Sequence, residues 1–114
     1  MVMLSDKVER ARQSYGARLS ERVASLAELL ARAEAGDASA LEGAQRLAHR
    51  IYGSAGTFGF AMVGKAARFI DEQLLRVRAG ELRAGRELYE SLTAELDRAR
   101  SELAGSGSST GPPG

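Results

Sequence analysis

An all-α fold, an antiparallel up-down-up-down four-helix bundle with a short additional N-terminal helix, is predicted by three observations. Both prolines stand at the far end of the chain, Pro112 and Pro113, so none interrupts helix between Leu4 and Leu103. Ala, Leu, Arg and Glu, all good helix formers, dominate that stretch. Apolar residues recur at steps of three and four, and no segment alternates apolar and polar residues as a half-buried strand requires.

Each helix has its own stripe and its own stop. Leu19, Val23, Leu26 and Leu30 stack on one face ahead of Gly36-Asp37, a C′ glycine followed by an N-cap aspartate. Leu41, Ala44, Ala48, Ile51, Ala55 and Phe58 line the second helix, which ends at Gly56-Thr57-Phe58-Gly59. Val63, Ala66, Ile70, Leu74 and Val77 line the third, before a break from Ala79 to Gly85. Leu88, Leu92, Leu96, Ala99 and Leu103 line the fourth. Four amphipathic helices on short loops must bury these stripes against one another, and the bundle is the economical arrangement. Ser5 to Ser14 form the short extra helix across one end, with Gly16 either separating it from the next helix or tolerated inside a longer one.

Composition bounds the function. At 114 residues and 44% hydrophobic, the chain makes one domain that buries roughly 65% of its unfolded surface. The bundle is expected over residues 1–104. Residues 105–114, Gly-Ser-Gly-Ser-Ser-Thr-Gly-Pro-Pro-Gly, have nothing to bury and read as a flexible tail. With no cysteine, disulfides and thiolate metal sites are excluded. Sixteen basic and fifteen acidic residues leave a net charge of +1, so no field favours nucleic acid or an anionic membrane. No apolar run approaches a transmembrane span, and the first residues lack a signal peptide's basic-then-apolar order. A cytoplasmic monomer is the expectation, since a closed bundle core needs no partner to fold.

His49 is the only histidine. With Ala48 at zero on a wheel of about 100° per residue, Ala44, Ile51 and Ala55 fall within roughly 60° of zero and His49 at about 100°. Its imidazole is therefore held at the base and exposed at the tip. Gln45 and Arg46 lie one turn before it, Tyr52 and Gly53 one turn after, and Gly56 two turns after. Glycine inside a helix costs about 1 kcal/mol against alanine. Gly53 and Gly56 either permit close helix packing and a frayed end, or clear space for a macromolecule to reach the imidazole. A metal site lacks its ligand spacing, and no metal is expected. Ser54 stands on a different face from His49, against acyl-transfer chemistry, and no Gly-x-x-x-x-Gly-Lys-Ser/Thr loop offers a nucleotide site. Histidine as a nucleophile in its own right stays available.

The run Leu47-Ala48-His49-Arg50-Ile51-Tyr52-Gly53-Ser54-Ala55-Gly56-Thr57-Phe58-Gly59-Phe60 resembles the signature of histidine-containing phosphotransfer (HPt) domains. Members share Ala-His, an apolar residue two after the histidine, Gly four after, a small residue six after and Gly ten after. All five features occur here, and the resemblance spans about residues 5 to 104. It implies that His49 accepts a phosphoryl group from a receiver-domain aspartate or a histidine kinase and passes it to another receiver. Such domains bind no ATP and do not supply the receiver's Mg²⁺, so no cofactor is expected and the chain is a carrier rather than an enzyme. Its implied partners are the receiver domains of response regulators or hybrid histidine kinases.

The resemblance also implies an orienter for the imidazole. Family members often place an acidic or amide side chain in the next helix, in a Leu-Glu-like pair. Here the pair falls on Ile70-Asp71, with Glu72 and Gln73 as neighbours able to serve instead. Many members carry Lys three residues after the histidine, where this chain has Tyr52, which donates a hydrogen bond but no charge. Arg46, Arg50 and Arg68 are the cations that could compensate, each equally readable as a solvated surface arginine. Two other readings compete. One is a helical adapter that binds receivers without being phosphorylated, against which stands the retention of His49 with Gly53. The other is a domain detached from a chemotaxis-type or hybrid kinase.

Overall fold

The computed structural model describes residues 2–108, with side chains described over 6–104. Four α-helices and no strand occur among the described residues: α1 (Val2–Glu34), α2 (Ala38–Ala55), α3 (Ala61–Arg78) and α4 (Arg86–Ser108). A single 3₁₀ turn, Gly56–Phe58, joins α2 to α3. Consecutive helices pack side by side and α4 closes against α1, which is the expected up-down-up-down bundle. Among the described residues no helix is long and apolar enough to cross a membrane.

The predicted stripes form the core, except that Val77 at the end of α3 is only partly buried and lies outside it. Leu19, Val23, Leu26, Leu30, Ala44, Ala48, Ile51, Ala55, Val63, Ala66, Ile70, Leu74, Leu92, Leu96 and Ala99 are all buried. Leu41, Phe58, Leu88 and Leu103 pack half-buried against them. The α1–α2 turn follows its sequence cues. Gly36 takes φ +106°, and the Asp37 side chain accepts from the backbone N–H groups of Ser39 and Ala40 at 3.0 and 3.1 Å. Hydrogen bonds from Ser39, Arg32 and the Ala40 amide hold the Asp37 carboxyl down at about 2.

Two expectations about the chain's ends differ from the structure. Ser5–Ser14 is not a separate helix but the opening turns of α1, which runs unbroken through Gly16. The reason is packing: a Cβ on Gly16 would stand 3.2 Å from Cζ of Phe60. This glycine makes room for the ring of Phe60, itself 1% exposed. At the other end α4 continues to Ser108, past the expected boundary at residue 104. Residues 105–108 of the proposed tail are thus helical, and 109–114 lie outside the described residues.

Helix α3 begins without a side-chain cap of its own. Glu102 of α4 supplies one from a distance, its Oε1 accepting from the Val63 amide at 3.0 Å. Helices α2 and α3 bury small residues where they meet, Ala44, Ala48 and Ala55 on one, Gly64, Ala66 and Ala67 on the other. Small residues let helix axes approach. A Cβ on Gly64 would lie 3.6 Å from the Gly56 amide nitrogen and 3.8 Å from the Ala55 Cβ. That close seam sets the reach of the site described next.

Candidate functional site

His49 sits between Ala48 and Ile51, both fully buried, yet its side chain is 68% exposed. The border position expected from helical geometry is the one observed. Its Nδ1 lies 2.9 Å from Oδ2 of Asp71, on α3. Asp71 is 5% exposed. Its other oxygen, Oδ1, accepts from Gln45 Nε2 at 2.7 Å. Gln45 Oε1 in turn accepts from Arg78 Nη1 at 2.5 Å, and Arg78 Nη2 approaches Glu42 Oε2 at 3.5 Å. The dyad closes because the small-residue seam lets the short aspartate span the gap. A carboxylate only accepts, so the bond to Asp71 places the neutral ring's proton on Nδ1 and leaves the Nε2 lone pair free. Of the three neighbouring residues considered as orienters, Asp71 makes this contact. Glu72 instead pairs with Arg68 at 3.2 Å.

Gln45, one turn before His49 and a candidate for the same binding face, does not share the exposure of the imidazole. It is 7% exposed and points into the α2–α3 seam. Three residues before Ala48, it falls at about 60° on the helical wheel, on the core side of His49. Ser54 also turns away from the imidazole: its Oγ lies 2.6 Å from Tyr15 Oη and donates to the Arg50 carbonyl.

Outside the dyad the surface is open. A Cβ on Gly53 or Gly56 would meet nothing within 4 Å, which disposes of close helix packing as the reason for either. Tyr52 is 42% exposed, not turned into the core. The Arg68 guanidinium lies over its ring, 5.8 Å from the centroid. Arg46 pairs with Glu42 at 3.1 Å. Arg50 is exposed, and its guanidinium makes no hydrogen bond or ion pair among the described residues. The fold thus joins His49, Asp71 and Gln45 in one bonded chain and sets Tyr52 beside Arg68. Arg78 and Glu42 complete the chain, and sequence reasoning missed both. Arg78 is two turns beyond Asp71 and carries no motif, so only an (i, i+7) stripe on α3 could have suggested it.

No curated protein and no solved structure matches this chain. A family profile does: the Hpt domain, over residues 10–102, which spans α2 and α3 in full, most of α1 and α4, and each member of the bonded chain from Arg78 to the imidazole. With four bundled helices, an exposed histidine and a match over most of its length, this chain belongs to the Hpt domain family.

Proposed function

We propose that this protein relays a phosphoryl group through His49, between receiver-domain aspartates or from a histidine kinase to a receiver. Family membership supports histidine phosphotransfer in a phosphorelay. The observation that carries the assignment to one residue is the exposed imidazole whose Nδ1 is bonded to a buried carboxylate. The Nε2 lone pair attacks the phosphorus of an aspartyl phosphate. The N–P bond forms as the P–O bond to the donor breaks, releasing a carboxylate. The ring keeps its Nδ1 proton and becomes a phosphoimidazolium, whose positive charge faces Asp71. An acceptor aspartate then attacks the phosphorus, the N–P bond breaks, and neutral imidazole returns. Phosphoryl transfer asks for positioning and countercharge, and the chain's own cations at the mouth are Arg50 and Arg68, with Arg46 at its edge. Gly53 and Gly56 keep the approach clear, and Tyr52 offers a flat surface for a receiver's helix.

Incubation with a phosphorylated receiver domain tests the assignment. Wild type gains acid-labile, base-stable phosphate, and His49→Gln gains none. Stoichiometric label on His49→Gln overturns it, and a wild-type chain that binds receivers without taking label favours the adapter reading.

A further inference from the structure

We infer that Gln45 is a positioning residue for His49, its amide pinned by Arg78 so that it fixes the Asp71 carboxylate and through it the imidazole tautomer. The argument starts at the outer end. A guanidinium has donors only, so whatever faces Arg78 Nη1 at 2.5 Å must accept. A glutamine amide can be turned either way, and Arg78 removes the choice: Oε1 faces the guanidinium. Nε2 is then left to donate to Asp71 Oδ1 at 2.7 Å. Flipping the amide would oppose donor to donor at Arg78 and oxygen to oxygen at Asp71.

The carboxylate needs this hold. The terminal torsion of aspartate is broad, so a carboxylate bonded on one side only is free to swing. With Oδ1 engaged by Gln45, Oδ2 is presented to His49 Nδ1 at 2.9 Å. Burial enforces the arrangement from behind. Gln45 and Asp71 are 7% and 5% exposed, so water does not compete for their bonds as it does at the imidazole. No buried side-chain nitrogen or oxygen among the described residues lacks a partner, which leaves no spare donor to replace Gln45. Arg78 Nη2 reaches Glu42, one turn before Gln45 on the same helix, and so anchors the chain on both α2 and α3. Hydrogen-bond direction therefore passes from Arg78 through Gln45 to Asp71, where the carboxylate receives a second donor from the ring. Gln45 touches neither the phosphoryl group nor Nε2.

The test exploits the single histidine, which gives one pair of ring-nitrogen resonances in the ¹⁵N-labelled full chain. Spectra are recorded well above the ordinary imidazole titration range, so that only neutral tautomers count. Wild type shows a protonated Nδ1 and a lone-pair Nε2. Gln45→Met moves both nitrogens towards the averaged shifts of free imidazole and slows phosphotransfer about tenfold. Arg78→Met moves them the same way by less, and Arg78→Lys restores them because an ammonium also only donates. Melting curves accompany each variant, and should Gln45→Met fail to fold, the partly exposed Arg78 pair carries the test. Folded variants with wild-type ring shifts overturn the inference, as does slowed transfer without a tautomer change. The phosphate readout rests on His49 being the phosphoacceptor, whereas the ring shifts do not. A wild-type chain with the expected tautomer but no phosphorylation sinks that function and leaves the positioning role standing.

Discussion

On the His49 face, Gly53 and Gly56 border empty space, with no atom within 4 Å of where a Cβ would stand. Across the bundle's packed end, Gly16 leaves 3.2 Å to the Phe60 ring, and Gly64 leaves 3.6 Å to the backbone of Gly56. Around Phe60 the structure is dense: Tyr15 stacks on Phe58 with centroids 4.2 Å apart, and the Arg12 guanidinium lies over Phe60 at 4.5 Å. Gly16, Gly53 and Gly64 lie inside α-helices and carry the helix penalty, whereas Gly56 caps α2 and opens the 3₁₀ turn. In one region the missing side chain admits a ring or a neighbouring backbone from within the fold. In the other the missing side chain leaves the surface clear, with no atom of the described fold in the space it would take.

The largest effect that would break this comparison is expected at Gly53. Gly53→Leu adds bulk on the open face, so transfer falls on the order of 100-fold while the melting temperature holds or rises. Unchanged transfer with an intact fold shows that receivers approach elsewhere. Gly16→Leu should do the reverse, destabilising the bundle by about 1–3 kcal/mol through overpacking against Phe60. Transfer per folded molecule should stay at the wild-type rate, as read from denaturant melts beside a transfer assay. If Gly16→Leu melts like wild type, the packed end is less constrained than its distances imply.

A finer test separates anchor from rim on the open face. Tyr52→Ala is expected to raise the receiver's dissociation rate about fivefold with stability changed by less than about 0.5 kcal/mol. Arg50→Ala should chiefly slow association, and only at low salt. Stopped-flow binding at two ionic strengths distinguishes them, and a Tyr52→Ala variant that binds normally removes the tyrosine from the interface.

The smallest effect belongs to neither region and serves as a control. The Asp37 carboxyl is lowered from 3.8 to about 2 by its bonds to Ser39, Arg32 and the Ala40 amide. A lowered folded value means its contribution is complete above about pH 4 and is lost as pH falls through about 2. Acid unfolding of Asp37→Asn should be flatter across that window, followed by circular dichroism. An unaltered slope places the acid sensitivity at other carboxylates.

Legibility differed from feature to feature. The α1–α2 turn could be read because Gly36 and Asp37 act on their own neighbours, through a positive φ and two local hydrogen bonds. Gly16 could be read either way, since a break and a ring contact leave the same letter in the sequence, and Phe60 lies far along the chain. Gln45 falls between core and surface on the helical wheel, so its direction could not be read from spacing. Its inward turn depends on Asp71 and Arg78, which helix packing brings to it. Asp71 is one methylene shorter than the glutamate of a Leu-Glu pair, and it meets the imidazole at 2.9 Å across a seam lined by small residues of α2 and α3.

By itself, then, the sequence determined the four stripes, their stops, the border position of His49 and its family resemblance, because periodicity, capping and motif spacing are local properties of the chain. The tertiary structure decided which carboxylate meets the imidazole, which way Gln45 faces, and that Glu102 caps a helix 39 residues away. It also decided which glycines face the core and which face solvent. Each of these depends on the separation and rotation of two helices, and that is set by how all the buried side chains fit at once.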